Sequence, residues 1–332
     1  MKRTLLVLLT LATLLSICGC GNGGRSTTFF LMDTSITVTL YTNNGVLAED
    51  IFAECREILV EYDSLWSRTK PESDVSKWND SENGDVTLDV RTLSLLQTAL
   101  AVSENTDGAF DVTVAPFVEL WSACEADGRL PLEEELEAAF TLTGYEKLTL
   151  TDTSLKKPFA NMRIDLGGIG KGAAIKALIA YLETSGVEGG LVSFGSNVAV
   201  FGAKPDGAEF RVALRDPKDA GGTVGVMTLQ TGEILSVSGD YERFVMIDGI
   251  KYHHLLDPES GYPAEKGLAS VAVIARDGAL ADALSTALFV MGRDAAMAFY
   301  ESGIYAFEAI LIAQDGSIDV TKGFSNRFSE NK

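Results

Sequence analysis

The chain is poor in the residues that most often carry recognisable chemistry. Two histidines, four cysteines and eight prolines are spread over 332 residues. No Cys/His grouping has zinc-ligand spacing, so a structural zinc fold is excluded. Cations are scarce: 27 Lys+Arg stand against 47 Asp+Glu, a formal net charge of −20. Nucleic acid is therefore not an expected partner, because that affinity needs clustered positive charge. Beyond the N-terminus no apolar run is long enough to span a bilayer. Neither the Walker pattern nor the dinucleotide glycine fingerprint is present.

What the N-terminus does contain is an export signature. Lys2 and Arg3 precede an apolar run from Leu5 to Ile17, and Ile17-Cys18-Gly19-Cys20 follows. The run is short for a transmembrane helix and long enough for a signal peptide over residues 1–19. A small residue before a cysteine resembles a bacterial lipoprotein cleavage site. Cys20, following Gly19, fits it better than Cys18. The expectation is a lipidated Cys20 holding an exported protein at the outer face of the cytoplasmic membrane, or at a periplasmic membrane face. Plain secretion is the alternative. Residues 20–28 read as a tether, 29–325 as the catalytic body and 326–332 as a polar tail. Cys55 and Cys124 then remain, either as a disulfide or as two buried thiols.

Along the body, helical periodicity covers Leu47–Trp66, Arg91–Asn105, Pro131–Phe140, Lys171–Ser185, Ala279–Met291 and Asp294–Ser302. Ser67 to Gly84 reads as loop, and Cys124 falls in another. Strand-like runs include Ser35–Tyr41, Lys147–Leu150, Met162–Leu166 and a crowded set from Gly189 to Leu256. Leu268–Ala275 and Ala309–Ala313 complete them. Strands in runs with helices gathered elsewhere argue an α+β fold.

Five segments stand out, three of them with candidate chemistry. Asp165-Leu-Gly167-Gly168-Ile-Gly170-Lys171-Gly172 is a glycine turn with one lysine at the mouth of a helix. Its amides and helix N-terminus suit a phosphate, and they would equally serve as a plain strand-to-helix turn. Asp282 and Thr286 lie four apart on an apolar helix. They offer hard oxygen ligands for Mg²⁺, or a capping group. His253 and His254 are adjacent on a strand and so face opposite ways. His254 is either a general base or a structural residue before the turn at Pro258. Gly108 to Pro116 reads as a helix-to-strand junction, and Glu233 to Glu242 as a hairpin edge.

In order, these segments resemble the ApbE-type flavin transferases. The matching pieces are Met32-Asp33-Thr34, Gly108-Ala-Phe-Asp-Val-Thr-Val-Ala-Pro116, Asp165 to Gly172, Ser238-Gly239, His254-Leu-Leu-Asp-Pro258 with Gly261, and Ala281-Asp-Ala-Leu-Ser-Thr286. The resemblance implies two subdomains with largely antiparallel sheets and flanking helices, and an FAD cleft between them. It implies Mg²⁺-dependent transfer of FMN from FAD to a Ser or Thr hydroxyl of a protein, releasing AMP. Met32, Thr69, Ala109, Phe110, Asp111, Asp165, Lys171 and Leu256 would contact FAD. Gly168, Asp282 and Thr286 would hold Mg²⁺, and His254 would be catalytic. Asp33 replaces the usual glycine. Thr69 stands where relatives place an aromatic residue, leaving Trp66 and Trp78 as candidates for stacking. The chain has no acceptor-like Asp-Gly-x-Ser/Thr-Gly-Ala-Thr stretch, so the acceptor flavoprotein would be a separate exported or membrane-bound protein. The alternatives are an FAD pyrophosphatase on the same site and a non-catalytic flavin-binding lipoprotein.

Overall fold

The computed structural model describes residues 24–331. The proposed signal peptide and Cys20 lie outside them. The body is built on an eight-stranded antiparallel sheet in the order β1-β2-β5-β6-β9-β12-β13-β14. These strands are Gly24–Leu31, Thr34–Tyr41, Gly189–Phe194, Asn197–Gly202, Ile234–Gly239, Leu268–Ala275, Glu308–Ala313 and Ile318–Val320. β3 (Thr149–Leu150) and β4 (Leu155–Lys156) form a small hairpin, as do β10 (Phe244–Ile247) and β11 (Ile250–His253). β7 (Phe210–Arg215), β8 (Thr223–Leu229) and β15 (Phe328–Glu330) form a three-stranded sheet.

The alternation of side chains across the main sheet divides the core. β12 is buried at every position. Val271, Val273 and Ala275 face a helical layer, while Ala272 and Ile274 face the small β7-β8-β15 sheet. β13 splits likewise, Ala309 and Leu311 one way, Ile310 and Ile312 the other. A strand covered on both faces must read as a continuous apolar run, as Leu268–Ala275 does.

The helical layer contains α1 (Gly45–Trp66), α2 (Asp74–Asp80), α3 (Val90–Asn105), α4 (Ala115–Asp127), α5 (Glu133–Thr141), α6 (Gly170–Thr184), α7 (Gly278–Met291) and α8 (Arg293–Ser302). α1 starts where the Asn44 side chain accepts the Leu47 N–H, and it buries Ala48, Ile51, Phe52, Cys55 and Leu59 at helical spacing. α6 and α7 cross at a glycine pair. A Cβ on Gly172 would collide with the Gly278 carbonyl, and one on Gly278 with the Gly172 carbonyl. Only two glycines permit that approach. A third cluster, Phe117, Trp121, Ala139, Ile247 and Leu256, lies under the β10–β11 hairpin.

Several expectations need correction. Residues 24–28 are not tether: they pair with β2 from Gly24↔Tyr41 onward. The tail is not free either, since Phe328–Glu330 pairs with β8. Ser67 to Gly84 contains α2, capped by Ser73. Cys124 is on α4, and Gly108 to Pro116 leads through a 3-10 turn at Val112–Val114 into that helix, not into a strand. Of Lys147–Leu150 only Thr149–Leu150 is strand. Met162–Leu166 makes no strand because side chains take its backbone groups. Asn79 bonds both N–H and C=O of Ile164, and the Lys157 ammonium accepts none but donates to the carbonyls of Trp78, Asn79, Ala160 and Met162 at 3.0–3.1 Å. Ile234–Gly239 is an inner strand between β6 and β12 rather than a hairpin edge. Of the two readings of Cys55 and Cys124, the structure has the second: both are buried and free.

Candidate active site

The site is assembled where the glycine turn enters α6. Asp165 shapes the turn: its Oδ1 accepts the Gly167 N–H at 2.7 Å, and its Oδ2 pairs with Arg68 Nε at 3.1 Å. Leu166 C=O then receives the N–H groups of Ile169 and Gly170. α6 has no side-chain cap of its own at Ile169. The missing acceptor comes from α7, where Asp282 Oδ2 takes the Gly172 N–H at 2.9 Å. Lys171 donates to Gly167 O at 2.7 Å, with its Nζ 3.9 Å from Asp282 Oδ2.

Gly168 lies between two neighbours. A Cβ there would stand 3.1 Å from Phe110 Cε2 and 3.7 Å from Thr286 Oγ1. Asp282 and Thr286 project from one face of α7, and Asp282 is 96 % buried. Behind them is a chain of hydroxyls. Ser236 Oγ lies 2.9 Å from Asp282 Oδ1 and 2.5 Å from Asn197 Oδ1. Ser238 reaches Ser285 at 2.8 Å and Thr286 at 3.3 Å. Gly168, Lys171, Asp282, Thr286, Phe110 and Asp165 thus converge on one helix mouth. Met32 joins them, its Cε 4.0 Å from where a Gly170 Cβ would be, with Trp66 on the same glycine at 3.6 Å. Ala109, half-buried, precedes Phe110 in the wall.

The two histidines do face opposite ways. His253 is buried edge-on against Phe289, with Nε2 3.2 Å from Ala264 O. His254 is surface-accessible, and its Nδ1 lies 3.1 Å from Arg243 O. A carbonyl only accepts, so Nδ1 carries the proton and Nε2 keeps its lone pair. Partial withdrawal from water, then the positive charges of Arg243 and Lys171, push the His254 pKa down to about 4, opposed by the Arg243 carbonyl. His254 is therefore neutral at neutral pH.

Three expected contacts are differently employed. Asp111 is buried, and both oxygens are spent: Oδ1 on the N–H and hydroxyl of Thr113, Oδ2 on the Tyr145 N–H. It shapes the turn before α4 rather than offering its carboxylate to a ligand. Leu256 belongs to the cluster under the β10–β11 hairpin, where it bridges Pro263. Trp78 is closed to stacking, since it is fully buried with Lys157 over its ring. Thr69 is exposed and bonds the Ser67 hydroxyl, at the rim beside Arg68. Trp66 is buried against Tyr62, with ring centroids 4.6 Å apart and its indole N–H without a protein partner.

Sequence reasoning passed over Asn197, Ser236, Arg68, Arg243 and Glu242. Glu242 keeps contact with water yet is recessed. That withdrawal raises its pKa to about 7 against the lowering pull of Lys171 and Arg243, with Asp282 adding to the rise. The nearest available signal was the run Ser236-Val-Ser238-Gly-Asp-Tyr-Glu242, whose alternation places both serines on one face.

The donor set fits Mg²⁺. Among the described residues no group of three or more His, Cys, Asp or Glu gathers as a metal site. One carboxylate (Asp282), one hydroxyl (Thr286) and the Gly168 carbonyl supply hard oxygens only. Mg²⁺ characteristically takes few protein carboxylates and completes its shell with water and substrate phosphate.

The curated FAD:protein FMN transferase of Vibrio cholerae is 29 % identical over 315 residues, covering 93 % of this chain and 94 % of that protein. The FAD:protein FMN transferase of Klebsiella pneumoniae is 32 % identical over 268 residues, covering 79 % and 81 %. The crystal structure of the ApbE protein of Thermotoga maritima superimposes with a TM-score of 0.80 at 33 % identity, covering 93 % of this chain and all of that one. The flavin transferase ApbE of Vibrio cholerae gives 0.82 at 26 %, covering 92 % and 100 %. The model of the ApbE family matches residues 32–311, and the chain belongs to that family.

Proposed function

We infer that the chain transfers FMN from FAD to a protein. The observation that carries this is the convergence of Gly168, Lys171, Asp282 and Thr286 at the N-terminus of α6. A helix mouth with a lysine suits a diphosphate, and the lone carboxylate suits the cation that would accompany it. In the reaction, a Ser or Thr hydroxyl oxygen of the acceptor attacks the flavin-side phosphorus. The phosphoanhydride P–O bond breaks and AMP leaves. His254 Nε2 takes the hydroxyl proton, its Nδ1 proton being held by Arg243 O. Lys171 balances charge that spreads over the phosphate oxygens. Bound Mg²⁺, held by Asp282, Thr286 and the Gly168 carbonyl, would supply Lewis-acid stabilisation of the same oxygens.

The acceptor is a flavoprotein supplied in trans, exported or membrane-bound. The enzyme itself is proposed to be exported and held at the membrane through a lipid on Cys20. Among the described residues no helix is long and apolar enough to cross a membrane.

The test is mass spectrometry of a candidate acceptor mixed with the protein, FAD and Mg²⁺. Addition of one FMN to a Ser or Thr, abolished in Asp282→Ala and strongly reduced in His254→Ala, is expected. AMP and FMN release without any acceptor modification would replace transfer by hydrolysis. A near-normal Asp282→Ala enzyme would end the metal assignment.

A further inference from the structure

The chain of hydroxyls behind Asp282 contains a proton-counting conflict. Ser236 Oγ has one hydrogen. It approaches Asn197 Oδ1 at 2.5 Å, Asp282 Oδ1 at 2.9 Å and Ser285 Oγ at 3.4 Å. An amide oxygen and a carboxylate oxygen both accept only, so a single hydrogen cannot satisfy the two short contacts. At the same time Asn197 Nδ2, with two N–H groups, is buried and has no partner. Asn197 and Ser236 are both fully buried and face each other as register partners on β6 and β9.

Turning the Asn197 amide by 180° resolves the conflict at Ser236 and gives Nδ2 an acceptor. The oxygen and nitrogen of an amide are distinguished only by their hydrogen-bond partners. Nδ2 then donates to Ser236 Oγ, and the Ser236 hydrogen is released to Asp282 Oδ1. We propose that Asn197 and Ser236 form a one-way relay, Asn197 Nδ2–H to Ser236 Oγ–H to Asp282 Oδ1, that fixes the orientation of the Asp282 carboxylate toward its cation. This rests on the reading of Asp282 as a Mg²⁺ ligand. With Oδ1 held by Ser236 and Oδ2 by the Gly172 N–H, the carboxylate is pinned from both sides. Ser236 and Asn197 are positioning residues: they act through Asp282. Hydrogen-bonded partners of metal ligands typically change metal affinity by about 10–100-fold when removed.

The experiment titrates Mn²⁺ alone into the purified full chain and follows free Mn²⁺ by electron paramagnetic resonance, so no turnover is needed. Ser236→Ala is expected to weaken Mn²⁺ binding at least about tenfold. Ser236→Thr, which keeps the hydroxyl, should restore it. Asn197→Ala should weaken it to a smaller extent, because Ser236 keeps its hydrogen but loses the donor that directs it. If Ser236→Ala fails to fold, Ser236→Cys, a weak donor of similar size, should show the same loosening. Asp282→Ala is the control and should lose binding. Wild-type affinity in Ser236→Ala or Ser236→Cys, with binding lost in Asp282→Ala, overturns the relay and leaves the metal reading standing. Tighter or unchanged binding in Asn197→Ala overturns its direction, because an accepting amide would have been competing for the Ser236 hydrogen. Unchanged binding in Asp282→Ala overturns the relay together with the metal reading.

Discussion

Asp282, in the second turn of α7, caps α6: its Oδ2 accepts the Gly172 N–H at 2.9 Å across the glycine contact between the two helices. A residue assigned to a cation therefore also completes a helix end that has no cap in its own sequence. The site and the helix packing are one arrangement.

Gly172→Ala should expose that coupling. The added Cβ would meet the Gly278 carbonyl and stand 2.7 Å from Asp282 Cβ, with backbone that cannot move aside cheaply. Overpacking of this kind costs about 1–3 kcal/mol. The thermal midpoint should fall and Mn²⁺ affinity should fall with it. Gly221→Ala, at an exposed position with Asp219 as its nearest neighbour at 3.7 Å, should change neither.

His254→Ala should lower FMN transfer by about 10²–10⁴-fold while FAD binding changes little. Steady-state kcat and KM together with equilibrium FAD titration measure the two separately. Loss confined to FAD affinity would remove the base assignment.

The pH dependence of stability has a definite sign. Burial lowers the His253 pKa, and withdrawal from water lowers that of His254 to about 4. Between about pH 6.5 and 4 the unfolded chain therefore binds protons that the folded chain refuses, and stability falls as the pH drops. Glu242 acts in the opposite sense. Its pKa is raised to about 7, so between 4.5 and 7 the folded chain holds the extra proton and stability rises as the pH drops. Urea midpoints compared at pH 7 and 5 should show a steeper acid loss in Glu242→Gln than in the wild type, and a shallower one in His253→Gln.

Lys157→Met should destabilise the approach to the glycine turn. Lys157 is 4 % exposed, and its ammonium lies over Trp78 at 4.4 Å and serves four carbonyls. Burial pushes its pKa down to about 8, the charge being kept by those carbonyls. Removing it strands buried acceptors, each worth about 1–3 kcal/mol where unsatisfied. Calorimetry should show a lower melting temperature, and hydrogen exchange faster opening around Ile164.

Much of the fold was legible because helical stripes and alternating strands are local signals. α1, α3, α6, α7 and β12 stand close to where periodicity puts them. Met162–Leu166 was misread because Ile164 at its centre bonds the Asn79 side chain 85 residues away in sequence, which no local pattern records. The ends were misread for the same reason. Gly24 to Thr28 and Phe328 to Glu330 look polar, and they become strands only because β2 and β8 offer free edges. At the site, the glycine turn with Lys171 and the Asp282–Thr286 pair stood out by residue type and spacing, whereas a role for Gly168 came only from the family resemblance. Asn197 and Ser236 were not, since a buried Asn or Ser becomes meaningful only when two neighbouring strands and a helix bring it to a carboxylate.

β1 pairs with β2 from Gly24 itself. A lipid on Cys20, as proposed, would leave four residue steps before the sheet edge, a reach of at most about 14 Å at ~3.5 Å per residue. The globule would then ride directly on the head groups instead of ranging through the surrounding space. Its clientele would be restricted to hydroxyls presented within one protein diameter of the bilayer, and lengthening that leash should broaden the clientele.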